Sequence, residues 1–75
     1  MHKLPVVSAA ETIKCFEKIG YAVTRQKGSH VRLHHACDGS KKPLTIPRHK
    51  VLGKGLLRKV IRDAELTVDE FTALL

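Results

Sequence analysis

Residues 29–35 alternate polar and apolar side chains, a pattern typical of a β-strand with one covered face. Successive side chains of a strand point to opposite faces of the sheet, so Val31 and Leu33 share one face. The other face receives three polar side chains, those of His30, Arg32 and His34. One face of the sheet therefore needs a layer of helices over it, and the other is left open to solvent or ligand.

Two further strands are predicted around this one. Residues 21–26 form a strand with Tyr21 and Val23 on one face, and Lys27-Gly28 forms a tight turn because glycine tolerates positive φ. The remaining β signals are a second turn, Asp38-Gly39-Ser40, and a short third strand, Leu44-Thr45-Ile46, closed by Pro47. Short connections of this kind favour an antiparallel meander.

A capping box marks the start of the first helix. The Ser8 hydroxyl can accept from the backbone N–H of Glu11, and the Glu11 side chain can reach back to Ser8. The helix is predicted to run to about Ile19 and to end at Gly20. Its predicted apolar stripe comprises Ala9, Ile13 and Phe16, with Ala10 and Ile19 as further members.

The last third of the chain predicts a basic loop over residues 48–54, then two helices. The first covers about residues 55–64 and presents one apolar face, formed by Leu57, Val60, Ile61 and Ala64. A second capping box at residues 67–70 starts a short helix, with Leu66 stapled against Phe71. The predicted fold is α+β in the order α-β-β-β-α-α. Helices cover one face of a three-stranded antiparallel sheet in a single domain over residues 1–75.

Basic residues are concentrated in the middle of the chain, whose net charge is +7. Residues 18–62 contain twelve Lys and Arg and one acid, Asp38, whereas the other six acids lie at the two ends. This distribution favours a polyanion as partner, nucleic acid first, over a merely solvated surface. A membrane surface is disfavoured because the basic residues do not form the polar face of a long amphipathic helix.

Apolar runs and cysteines bear on where the chain acts. No run approaches the roughly 20 residues that span a bilayer, and residues 1–7 lack the apolar stretch of a signal peptide. The two cysteines, Cys15 and Cys37, do not make a disulfide framework. We therefore expect a cytoplasmic protein that needs no cofactor.

His30 is the leading candidate for chemistry. It follows a glycine turn at the start of a strand, beside the cations Arg25, Lys27 and Arg32. An imidazole can exchange a proton near neutral pH, and cations can hold a phosphate and stabilise developing negative charge. Attack on an RNA backbone needs these parts, although a lone exposed histidine is more often an ordinary surface residue.

Metal binding is a weaker hypothesis. His30, His34, His35 and Cys37 are close in sequence, but His35 points to the opposite face from His30 and His34. Their spacing matches no zinc-finger or metalloprotease pattern, so no metal site is predicted.

Several motifs together resemble a known family over about residues 8–72. They are Gly20-Tyr21, the run Arg25-Gln26-Lys27-Gly28-Ser29-His30, His35, Asp38-Gly39, Thr45-Ile46-Pro47, residues 55–64, Leu66-Thr67 and Glu70-Phe71. The chain resembles the HicA (YcfA-like) toxin family in these residues and their order. The resemblance implies a fold like that of a double-stranded-RNA-binding domain and an mRNA interferase of a type II toxin–antitoxin system. It also implies a HicB-like antitoxin that covers the active site, and a catalytic histidine after the Gly-Ser pair, here His30.

Two functions remain to be separated. One is metal-independent cleavage of mRNA with His30 as general acid/base and an RNA-binding set comprising Arg25, Lys27, Arg32, Arg48 and Lys50. The other is a non-catalytic module that binds double-stranded RNA. The mixed charges of the first helix argue mildly against it, because a helix that docks on phosphates should be mainly basic. A third possibility is a basic face that only docks an acidic partner.

Overall fold

Six short elements follow one another in the predicted order within residues 3–75, the part of the chain that the computed structural model describes. They are α1 (Ala9–Lys18), β1 (Tyr21–Lys27), β2 (His30–His35), β3 (Leu44–Pro47), α2 (Lys54–Asp63) and α3 (Val68–Ala73). The α+β fold class and the element order are thus confirmed, and each element lies within one residue of its predicted bounds.

The strands form one antiparallel sheet in the order β1-β2-β3, with β2 in the centre. Lys27 pairs with His30, so the β1–β2 hairpin turns through Gly28 and Ser29, one residue later than predicted. Gly28 has a φ of 59°, and Ser29 is not among the residues with positive φ. This is the pattern of a type II′ turn, which needs glycine at its first central position and matches the twist of the flanking strands.

The helices cover the face that the alternation of β2 makes apolar. Val31 and Leu33 are buried, and α1 and α2 both contact the sheet. Buried residues from every element form one hydrophobic cluster, with Phe16 of α1 close to Tyr21 and to Phe71 of α3. The predicted layering is therefore confirmed, and the opposite face of the sheet has no helix on it.

Both predicted capping boxes are present, at Ser8 and at Thr67. The predicted apolar stripe of α1 is partly wrong, because Thr12 and Cys15 are buried whereas Ile13 is only half-buried and Ala10 is exposed. A buried hydroxyl is tolerated at residue 12 because Thr12 Oγ1 donates a hydrogen bond of 2.8 Å to the Ser8 carbonyl. Local bonding thus lets the helix rotate its polar threonine into the core.

None of the helices within residues 3–75 is long and apolar enough to cross a membrane.

Candidate functional site

His30, Arg32 and His34 are all exposed on the uncovered side of β2, as predicted. Residues directly opposite one another in an antiparallel pair share a face. Lys27 is the partner of His30, and Arg25 is the partner of Arg32. We call the surface formed by Arg25, Lys27, His30, Arg32 and His34 the open face.

A β-bulge at Thr24 brings the β1 cations onto the open face. Val23 pairs with Leu33 and Arg25 pairs with Arg32, so Thr24 is an extra residue in β1. In unbroken alternation, Arg25 would share the face of Tyr21 and Val23, which the helices cover elsewhere in the sheet. A bulge inserts one residue and restarts the alternation, so it re-aims the side chains that follow it.

His30 occupies the first position of β2, directly after the hairpin turn. Its neighbours in the sheet are Lys27 of β1 and Pro47 of β3. The side chain is exposed, so a substrate can reach the imidazole without movement of the core. An ammonium group on the adjacent strand is well placed to attract a phosphate to this position.

The loop after β3 brings one further cation to the hairpin turn. The Arg48 N–H donates a hydrogen bond of 2.6 Å to the Ser29 carbonyl, which places Arg48 beside the residue that precedes His30. Lys50 is also exposed but lies in a different place. It lines a shallow depression together with His49 and the start of α1. The structure therefore places Arg48 next to His30 through the turn, and Lys50 on the neighbouring surface.

Thr24, Arg25, Arg32 and His34 line a shallow, open groove on the sheet. Thr24 Oγ1 lies 2.6 Å from His34 Nδ1, and Arg32 Nη1 donates a hydrogen bond of 2.8 Å to Thr45 Oγ1. Sequence reasoning named both arginines, and it did not find the part played by Thr24. No local signal marks Thr24, because its position depends on the pairing of β1 with β2.

The cations of the open face are not engaged by acids of the same chain in the described structure. Its ion pairs use other lysines: Lys41 with Glu65, and Lys42 and Lys59 with Asp63. These pairs lie at the acidic end of the chain, and they hold the pKa of the Asp63 carboxyl below its usual range. The open-face charges therefore stay available to an external anion.

His35 has a structural position, on the other side of β2 from His34. Its Nδ1 accepts hydrogen bonds from the backbone N–H groups of Cys37 and Asp38, at 3.2 and 2.9 Å. The ring proton must then lie on Nε2, which donates to the Ile19 carbonyl at 2.9 Å. The ring also contacts Tyr21 edge to face. His35 therefore joins α1, β1 and the turn after β2.

Other reactive groups are less suited to catalysis. Burial raises the pKa of the Cys15 thiol, which makes it a weaker source of thiolate. Within residues 3–75, no three His, Cys, Asp or Glu side chains are grouped so that they could hold a metal ion. His30 and the cations around it remain the best-formed candidate site.

Comparison with protein families identifies one match to this chain. The model of the family described as HicA toxin of bacterial toxin–antitoxin matches residues 9–66, which is well over half of the 75 residues. The matched range includes all three strands, the whole open face, α1 and α2. A comparison with curated proteins found no match.

Proposed function

The chain belongs to the HicA toxin family of bacterial toxin–antitoxin systems, and we propose that it acts as an endoribonuclease that cleaves mRNA. Its membership gives it the role of a toxin with an antitoxin as partner. The nuclease activity, the residues that carry it and the mRNA substrate are the proposal. Its site of action would be the cytoplasm, where mRNA is accessible.

An exposed imidazole surrounded by unpaired cations is the observation that carries this proposal. His30 can accept the proton of a ribose 2′-hydroxyl as its oxygen attacks the adjacent phosphorus, or donate a proton to the leaving oxygen. Lys27 lies opposite His30 in the sheet, and Arg48 adjoins it through Ser29. These charges would stabilise the negative charge that develops on the phosphate, so the reaction we propose requires no metal ion.

The antitoxin we propose is HicB-like and covers the open face. His30, Arg32 and His34 are exposed in the isolated chain, so an active toxin of this shape has no internal cover over its site. A partner that blocks this face would prevent RNA from reaching His30. Because that face is strongly basic, the covering surface of the partner should be acidic.

The decisive experiment replaces His30 with alanine. General acid–base groups contribute about 10²–10⁴-fold to rate, so His30→Ala should lose nearly all RNA cleavage and any growth toxicity. The melting temperature should change little, because exposed substitutions usually alter stability by no more than about 0.5 kcal/mol. Cleavage and thermal unfolding should be measured on the same preparation.

Lys14→Ala is the matched control for His30→Ala, since Lys14 is exposed on α1, away from the open face. It should cleave RNA like the wild type. A folded His30→Ala protein that cleaves at the wild-type rate would contradict the catalytic assignment. A wild-type protein that binds double-stranded RNA without cleaving any RNA would instead support the binding-module alternative. The exposed Glu11 and Glu17 on α1 argue against that alternative.

Cleavage should also persist in the presence of EDTA. The proposed reaction uses a histidine and cationic side chains, so chelation of divalent ions removes none of its parts. RNA cleavage by the wild type should be compared with EDTA and with added magnesium, on an unstructured RNA whose folding does not depend on the ion. Activity that appears only with magnesium would contradict the proposed mechanism.

A further inference from the structure

We propose that the bulge of β1 creates a phosphate-binding subsite from Arg25, Arg32 and His34, which holds a phosphate of the RNA backbone other than the one cleaved at His30. The identity of the ligand rests on the proposed function, because the phosphate is taken to belong to RNA. The groove between these side chains is open and shallow, as a site for an extended backbone must be.

The two arginines provide the first argument. Arg25 and Arg32 are direct partners in the β1–β2 pairing, and like charges directly opposite one another destabilise a sheet. Within residues 3–75, no acid forms an ion pair with either of them. An anion between the two guanidinium groups would remove this repulsion, and guanidinium is the group best suited to bidentate binding of phosphate.

The bulge provides the second argument, because it is what makes the two arginines neighbours. With one residue fewer in β1, Arg25 would face the helix side of the sheet with Val31. The extra residue, Thr24, sends Arg25 to the open face and places its own hydroxyl 2.6 Å from His34 Nδ1. A single local distortion thus positions two of the three proposed ligands.

Hydrogen bonding suits His34 to donate to an anion. In the imidazolium form, Nδ1–H donates to Thr24 Oγ1, whose own hydrogen can go to the Arg32 carbonyl at 3.4 Å. Nε2–H then remains for an oxygen of the ligand. Arg32 is held in place by one bond from Nη1 to Thr45, which leaves the rest of its donors available.

The distance along β2 separates this subsite from the proposed catalytic position. His30 and His34 are four residues apart in the same strand, which corresponds to about 13 Å at the usual rise per residue. One phosphate cannot contact both imidazoles over that distance. The subsite therefore binds RNA and sets its register, while His30 acts on another phosphate.

The test measures binding of an RNA that cannot be cleaved through its 2′-hydroxyl, a short single-stranded 2′-O-methyl oligonucleotide, to the full chain. Arg25→Gln combined with Arg32→Gln should weaken binding about tenfold or more, since hydrogen bonds to charged groups are strong. The same pair should lower the slope of log affinity against log salt by roughly 1.4, because each phosphate contact on a single strand contributes about 0.7. Thr24→Val keeps every charge and frees His34, so it should weaken binding by about threefold with an unchanged slope.

Lys14→Gln combined with Arg62→Gln is the matched control, because it removes the same charge from exposed positions on α1 and α2. It should bind nearly as well as the wild type. In NMR spectra, the ring protons of His34 should shift when the oligonucleotide is added to the wild type, and much less in the double arginine variant.

Equal weakening in the two double variants, unchanged binding by Thr24→Val, or a His34 ring that does not respond to saturating oligonucleotide would each overturn the subsite. The proposed nuclease function fails separately. A wild type that binds the oligonucleotide through this groove but never cleaves unmodified RNA would contradict the nuclease and leave the subsite standing. A double arginine variant that binds and cleaves like the wild type would do the opposite.

Discussion

His34 and His35 show how strongly the role of a residue depends on the face of the strand it occupies. The first is exposed and reaches Thr24, whereas the second is half-buried and makes three hydrogen bonds to backbone groups. Gly20 belongs to the same arrangement, because a Cβ at residue 20 would lie 2.5 Å from His35 Nε2. The imidazole of His35 therefore lies where only a glycine leaves room for it.

His35→Ala should lower the free energy of unfolding by about 1–3 kcal/mol, because it leaves backbone groups that the ring had satisfied without a partner. In a domain of this size each kcal/mol corresponds to roughly 4–8 °C in melting temperature. His34→Ala is the control, since that side chain is exposed and its loss should cost no more than about 0.5 kcal/mol. Equal melting temperatures for the two variants would mean that the His35 bonds contribute nothing to stability.

The ends of α1 and α2 solve the same problem with different residues. Each helix is followed by a residue with positive φ, Gly20 after α1 and Glu65 after α2. After α2, the Leu66 N–H donates to the Ile61 carbonyl and the Glu65 N–H donates to that of Arg62. These two bonds define a Schellman motif, whose left-handed position normally favours glycine. Glu65 is therefore under backbone strain that Gly20 avoids.

Glu65→Gly should stabilise the protein by about 0.5–1 kcal/mol. A left-handed L-residue costs roughly 1–2 kcal/mol, and the change also loses the exposed pair with Lys41, which contributes little. Chemical denaturation of the wild type and the variant measures the difference. Gly20→Ala is the opposite control and should destabilise, because it adds both strain and the clash with His35. A Glu65→Gly variant less stable than the wild type would show that the ion pair or the flexibility of glycine outweighs the strain.

At the scale of the whole molecule, the distribution of charge follows the fold. The sheet carries basic side chains on its open face, while Asp63, Asp69 and Glu70 lie in α2 and α3, among the helices. The basic centre of the sequence thus becomes one side of the molecule, which concentrates the field that attracts a polyanion.

RNA binding should therefore weaken steeply as salt is raised. Neutralising the five predicted contacts together, Arg25, Lys27, Arg32, Arg48 and Lys50, should reduce the slope of log affinity against log salt by up to about 3.5 for single-stranded RNA. Lys50→Gln alone tests whether the depression beside α1 belongs to the same footprint. An unchanged affinity and slope in the fivefold variant would place RNA on another surface.

Much of this fold could be predicted from the sequence, because its signals are local. Capping boxes are formed by residues three apart, and the alternation of residues 29–35 assigns faces within a single strand. For the same reason His30 could be placed at the start of an exposed strand face without reference to any other element. The family resemblance then singled out His30 among the histidines, which local patterns alone could not do.

Only the tertiary structure decided which cations share a face with His30. Strict alternation from Tyr21 and Val23 would send Arg25 and Lys27 toward the helix side, and the bulge at Thr24 reverses this. A bulge results from how two strands pair, so a periodic pattern within one strand does not reveal it. The burial of Thr12 and Cys15 was decided in the same way, because the rotation of α1 depends on the surface against which it packs. Local patterns set the faces of each element, and packing between elements set which of those faces meet.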